Sequence, residues 1–340
     1  MDGRPKPKRM KARLNISLTL AAACLCGLSS CVSIVSGDGT GDTAISFATP
    51  SADTKAAVED NLPDNSEFLV WGGYGDDANS VNATNVFNGD TVIGLGGTWN
   101  YTGGTRYWVA GKTYDFYAVY PAGIFSGQSG TSTDTPSVIC SSDGTLSINN
   151  FDASATGVAA VDLMTASATG VVANDIITNG GAVELSFKHE LARVNFTVVS
   201  EGDALTISDA KLYGISHTGS LKKEDWTLPE DTNTAENTPF KTDEPIIIDG
   251  TKDHLLFGGD LLLPPQTLSD GAILAFSYQY EGEGDTDSHS VTLYVKTTNV
   301  AKWTAGQRYN YRISIPQNSV DVTLDVTVKD WVEQDFTVTW

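Results

Sequence analysis

Apolar and polar residues alternate with a period of two along most of this chain. Val183-Glu-Leu185-Ser-Phe187, Val194-Asn-Phe196-Thr-Val198, Val291-Thr-Leu293-Tyr-Val295 and Tyr309-Asn-Tyr311-Arg-Ile313-Ser-Ile315 all follow it. Successive side chains of an extended strand point to opposite faces, so the pattern predicts half-buried strands, and helical spacing is scarce. From Tyr114 to Tyr120 large side chains occupy both parities, which predicts a central strand covered on both faces and stopped by Pro121. Clusters of Gly, Asn, Asp, Ser and Thr, as at residues 127–132 and 281–288, separate the strands and favour turns. Trp303-Thr-Ala-Gly306 reads as one such turn, its glycine free to take a positive φ before the strand from Tyr309. Short strands between frequent turns predict an all-β chain built of β-sandwiches. The cleanest alternation lies near the end, where Val320, Val322, Leu324, Val326 and Val328 are interleaved with Asp321, Thr323, Asp325 and Thr327. Such a strand is about 30 Å long at roughly 3.3 Å per residue.

The start of the chain breaks the pattern. Arg4, Lys6, Lys8, Arg9, Lys11 and Arg13 precede an apolar run from Leu14 to Leu28. The run is shorter than the roughly 20 residues a membrane-crossing helix needs, so residues 1–30 read as a secretory signal peptide. It ends in Leu28-Ser29-Ser30-Cys31, which resembles a bacterial lipobox and would make Cys31 the acyl acceptor. Acyl chains bind membrane at about 0.8 kcal/mol per buried methylene, and the three expected on such a cysteine would hold an exported protein on a Gram-negative outer membrane. Residues 31–43 then read as a flexible tether. The remaining length suits two domains, 44–200 and 201–340, divided where the composition turns polar near Ser200 to Ala204.

Charge and candidate chemistry narrow the function classes. The chain has 42 acidic and 21 basic residues, a formal charge of −21, and six of the basic residues belong to the leader. Such a surface repels nucleic acid and anionic lipid. Cys24 and Cys26 leave with the leader and Cys31 would be acylated, so Cys140 has no disulfide partner and no Cys/His arrangement around it. His189, His217, His254 and His289 are far apart and none sits in an HxxxH or HExxH spacing, which leaves a metal site without local support. No GxSxG elbow is present, and the Gly-rich stretches 37–41 and 94–97 lack a phosphate-loop lysine. Glu281, Glu283, Asp285 and Asp287 lack the ligand order of an EF-hand and read as a solvated hairpin tip. Trp71, Trp99, Trp108, Tyr74, Tyr101 and Tyr107 could line a glycan platform, but core packing is their more common use. No catalytic residue, cofactor or metal is expected.

Five segments carry a more specific signal. Phe68-Leu-Val-Trp71-Gly-Gly-Tyr74, Tyr114-Asp-Phe-Tyr-Ala-Val-Tyr-Pro121, Asp162-Leu-Met-Thr-Ala166, Phe187-Lys-His189-Glu-Leu-Ala-Arg-Val-Asn-Phe196 and Trp303-Thr-Ala-Gly306-Gln-Arg-Tyr309-Asn-Tyr311 follow one another in the order of the fimbrillin-like family. The chain thus resembles the subunits of type V pili, stalk subunits as well as accessory tip and anchor proteins. The resemblance implies two transthyretin-like β-sandwich domains and a lipidated precursor. It also implies a cut after a basic residue that follows the first strand, and a groove refilled by a strand of another subunit. Ile45-Ser-Phe47 can supply that first strand, and Lys55-Ala56 lies in a polar stretch where a protease could reach the backbone. Lys55 stands where arginine is usual, which puts cleavage by an arginine-specific protease in question. Val320, Val322, Leu324, Val326 and Val328 are the candidate donor strand, and pairing of the same strand within its own domain is an equal alternative. The implied partners are other fimbrial subunits, the outer membrane through the lipid, and a host or glycan ligand. A glycan- or host-binding surface lipoprotein that uses the same fold without polymerising is the alternative function.

Overall fold

The computed structural model of the chain describes residues 43–48, 51–52, 60–76, 80–125, 136–250, 252–281, 287–317 and 321–331. The strands with bulky residues at both parities gather in the middle of an eight-stranded sheet. Thr113–Tyr120 lies there between Glu67–Tyr74 and Met164–Val172, antiparallel to both. Phe87–Leu95 and then Thr98–Tyr101 extend the sheet on one side, and Ser186–His189 extends it on the other. Alternation divides the side chains between two cores. Phe68, Val70, Phe116 and Ala118 face one, and Leu69, Trp71 and Val119 face the other. Burial on both faces accounts for the near-continuous apolar run Phe68-Leu-Val-Trp71.

The face bearing Leu69, Trp71 and Val119 shares its core with a four-stranded sheet ordered Asp225–Thr227, Thr218–Lys222, Leu146–Asp152 and Ser137–Cys140. That core runs on into a second sandwich. One of its sheets contains Ala192–Ser200, Gln307–Ile315 and Thr323–Asp330, and the other contains Ile246–Ile248, Leu205–Tyr213, Ile273–Tyr280 and His289–Tyr294. Val194, Phe196, Tyr311 and Ile313 from the first meet Leu205, Ile207, Leu274 and Phe276 from the second in one buried cluster. The turn before Gln307–Ile315 is made by Gly306 at φ 68°.

The chain is all-β, and among the described residues its helices are single short turns and one seven-residue segment, Ala173–Asn179. The polar change near residues 200–204 follows the Ala192–Ser200 strand, which pairs with Gln307–Ile315 in parallel on one side and with His254–Leu255 and Leu261–Leu263 on the other. Phe187 is the last buried residue of the core that Phe68 shares, and from Leu191 onward the buried apolar residues described belong to the core that Leu69 shares. Thr218–Lys222 crosses back to pair with Leu146–Asp152.

Candidate functional site

Residues 43–48 lie in a slot of the aromatic core. Ile45 and Phe47 are 2% and 6% exposed. The Phe47 ring lies 5.6–6.1 Å from the rings of Phe68, Phe87, Tyr101 and Phe116, edge-on to each. Edge-to-face contact sets the positive rim of a ring against the negative face of its neighbour and adds to the burial of two large apolar surfaces. The alternation Ile45-Ser-Phe47 explains the seating: both apolar side chains point one way, into the core.

Backbone bonds hold the segment on both sides. Ile45 N–H donates to the Arg106 carbonyl at 2.8 Å, and Trp108 N–H donates to the Thr43 carbonyl at 3.0 Å. On the opposite side Ala48 N–H donates to the Val183 carbonyl at 2.9 Å and Val183 N–H donates to the Ser46 carbonyl at 2.8 Å. The pairing at Phe47 is antiparallel towards Trp99 and parallel towards Val183. The segment therefore joins the outer edge at Thr98–Tyr101 to the chain just before Ser186–His189. The Tyr101 hydroxyl donates to the Ile45 carbonyl at 2.9 Å and accepts from Arg106 N–H at 3.1 Å.

Arg106 shapes one wall of the slot. Its guanidinium donates to the carbonyls of Val86 at 2.8 Å, Thr102 at 3.0 Å and Gly104 at 3.2 Å, and to the Asp90 carboxylate at 2.7 Å. It also lies 4.5 Å from the Phe87 ring centroid and 5.3 Å from that of Tyr101. The planar fork thus ties the 102–106 loop to the sheet and to two rings that line the slot. Gly103 and Gly104, at φ 86° and 91°, let the loop turn tightly enough to be gathered this way.

The candidate donor strand is paired within its own sheet. Thr323–Asp330 runs antiparallel to Gln307–Ile315, from Ser314 opposite Thr323 to Gln307 opposite Asp330. Val322, Leu324 and Val326 face the core but are only half-buried, and Val328 is 43% exposed. Val320 lies outside the described residues. Tyr311 and Ile313 on the neighbouring strand are fully buried, so the terminal strand is the less covered of the two. Its outer edge pairs with no described strand.

Trp331, directly after this strand, is anchored in the core that Leu69 shares. It is 4% exposed, stacks on His189 at 3.9 Å between ring centroids, and donates its backbone N–H to the Gly306 carbonyl at 2.9 Å. The Arg193 guanidinium lies 5.8 Å from its ring, and His189 Nδ1 is 3.0 Å from Asp162 Oδ1. The segments beginning at Asp162, Phe187 and Trp303, far apart in sequence, converge at this point.

Cys31, Lys55 and Ala56 lie outside the described residues, as do Glu283 and Asp285. Cys140 is buried, and burial together with nearby Asp143 pushes its thiol up to about 12, which disfavours a thiolate nucleophile. Trp71, Trp99 and Trp108 are core residues, and of the six suggested platform aromatics Tyr107 is the one counted as exposed. The remaining histidines stay apart: His217 meets Phe240 edge-on, His254 lies 3.3 Å from Asp249, and His289 stacks on Tyr278. Among the described residues no group of three or more His, Cys, Asp or Glu side chains is placed to hold a metal ion. One buried carboxylate was not singled out by the sequence pattern. Glu190 is 3% exposed, accepts from the Thr165 hydroxyl and lies 3.6 Å from Lys188, and desolvation by burial raises its pKa despite both contacts.

The profile described as fimbrillin-like matches residues 54–331. A fimbrial protein of Bacteroides vulgatus is similar with a TM-score of 0.55 at 16% identity, over 85% of this chain and 99% of its own. A candidate cell adhesion protein of Bacteroides ovatus gives 0.54 at 13% identity, over 87% and 100%. Another from Bacteroides uniformis gives 0.52 at 17%, over 86% and 100%. At such identities the likeness establishes the fold. No curated protein matches the chain.

Proposed function

The chain belongs to the fimbrillin-like family, and from that premise we propose that it is a structural subunit, stalk, tip or anchor, of a type V fimbria that contributes to cell adhesion. It is exported as a lipoprotein through Cys31, held on the outer membrane, and assembled with other subunits by donor-strand exchange. Its work is mechanical rather than enzymatic. The observation that carries the reading is the seat of residues 43–48. Two apolar side chains and a handful of backbone bonds fill a slot that the rest of the domain builds from its own rings.

A cut at Lys55-Ala56 would sever this segment from the domain while leaving it bound. Its departure would then expose Phe68, Phe87, Phe116 and the backbone groups of Arg106 and Val183. Exposed apolar surface and unpaired backbone groups both favour refilling by another strand. The terminal strand, from Val320 through Val328, is the candidate donor. Its half-covered inner face would cost less to uncover than that of a central strand, since each fully buried aliphatic side chain contributes about 1.5 to 3 kcal/mol. A head-to-tail contact of this kind does not close on itself, so repetition builds a filament.

The test is to shear filaments from cells and look for this chain in them by mass spectrometry and by immunogold labelling. The reading expects the chain in or at the ends of filaments. Labelling spread evenly over the membrane, with none on filaments, would favour the non-polymerising, ligand-binding lipoprotein.

A further inference from the structure

We propose that the slot occupied by residues 43–48 is a selective strand-receiving groove, fitted to an extended segment with an aliphatic side chain followed two residues later by an aromatic one. The proposal deepens the exchange reading and rests on it. The seated segment shows what the groove accepts. The position filled by Phe47 is a socket bounded by four aromatic rings, all edge-on to it at 5.6–6.1 Å, so a flat ring there meets four favourable partners. A branched aliphatic side chain there would lose the ring contacts and leave part of the socket empty. The Ile45 position differs: the backbone carbonyl beside it is held by the Tyr101 hydroxyl at 2.9 Å, which fixes the chain where the smaller side chain enters the core.

Direction is selected as well. The bonds from Ala48 N–H to Val183 O and from Val183 N–H to Ser46 O belong to a segment running parallel to the chain at 183. Reversal would misalign these donors and acceptors and exchange the aliphatic and aromatic positions. Arg106 makes the selection rigid. Its fork holds the loop that carries the carbonyl accepting from Ile45, and its guanidinium covers Phe87 and Tyr101. By this rule the candidate donor strand, Val320 to Val328, supplies the aliphatic positions but no ring for the socket, and Val338-Thr-Trp340, which follows it in sequence, supplies the order of Ile45-Ser-Phe47.

The experiment uses the full chain with a site-specific protease sequence placed within residues 53–59, cut and then challenged with a fluorescent peptide of residues 41–52. Competitors are the same peptide with Phe47→Ala, a peptide with Ile45→Phe and Phe47→Ile together, and a peptide of residues 332–340. The proposal expects saturable binding of the native peptide and competition by the 332–340 peptide. The alanine and swapped peptides should bind at least about tenfold more weakly, a factor equivalent to about 1.4 kcal/mol. Equal competition by all peptides would overturn the selectivity while leaving strand exchange standing. Failure of every peptide to enter the cut chain would overturn exchange itself, and the proposal with it.

Discussion

Phe47 and Glu190 occupy opposite ends of what single residues do in this molecule. Phe47 is an apolar ring in a ready-made aromatic socket, and Phe47→Ala should lower the unfolding free energy of the uncut chain by about 3 to 5 kcal/mol, read from denaturant midpoints. A loss within a few tenths of a kcal/mol would mean that the segment is not seated as described. Glu190 is a buried acid whose folded pKa lies above its ordinary 4.5. The native state therefore holds a proton that the unfolded chain releases, and this contribution to stability is present below the ordinary value and lost as pH rises through the raised one. Glu190→Gln keeps an oxygen to accept from Thr165 and removes the titration. The variant should lose less stability than the parent between mildly acidic and neutral pH, measured by thermal midpoints across that range. Parallel pH profiles would contradict it. Phe47 was legible in the sequence because Ile45-Ser-Phe47 alternates. Glu190 was not, because a lone acid beside Lys188 looks like part of a solvated face until the fold buries it.

At the scale of elements, the terminal strand and its anchor stand out. The alternation from Val320 to Val328 announced a strand, and Thr323–Asp330 is one. What alternation could not reveal is the neighbour, since the same pattern suits an edge in this chain or a groove in another. The register with Gln307–Ile315 and the half-covered inner face come from packing between segments far apart in sequence. Trp331 was equally hidden, because the apolar pattern breaks at Lys329-Asp330 and nothing local marks the following tryptophan as buried. Its stack on His189 ties the end of the strand to the last residue of Ser186–His189, just before the chain continues into Ala192–Ser200. Trp331→Ala should therefore raise amide hydrogen exchange across 323–330 by about tenfold or more, while Ala192–Ser200 keeps its protection. Unchanged exchange in the terminal strand would show that Trp331 does not hold it.

For the whole molecule, the all-β architecture and the family were both legible, the first from period-two alternation and the second from five ordered segments. The sharing of one core between Leu69 on the eight-stranded sheet and Phe196 in the second sandwich was not, since it depends on which faces of the sheets meet. Function at this scale turns on whether the chain gives up its first segment. If Lys55 is the cut site, Lys55→Ala should leave residues 43–48 in place and prevent incorporation of a stalk subunit, seen as shorter or absent filaments at unchanged expression. Normal filaments built from the uncut variant would move the cut elsewhere. The most direct measurement is the N-terminal residue of the chain recovered from filaments. Exchange predicts Ala56 as that residue, with Ile45 and Phe47 gone from the assembled subunit. A chain in filaments that still begins at Cys31 and retains residues 43–48 in their slot would contradict it.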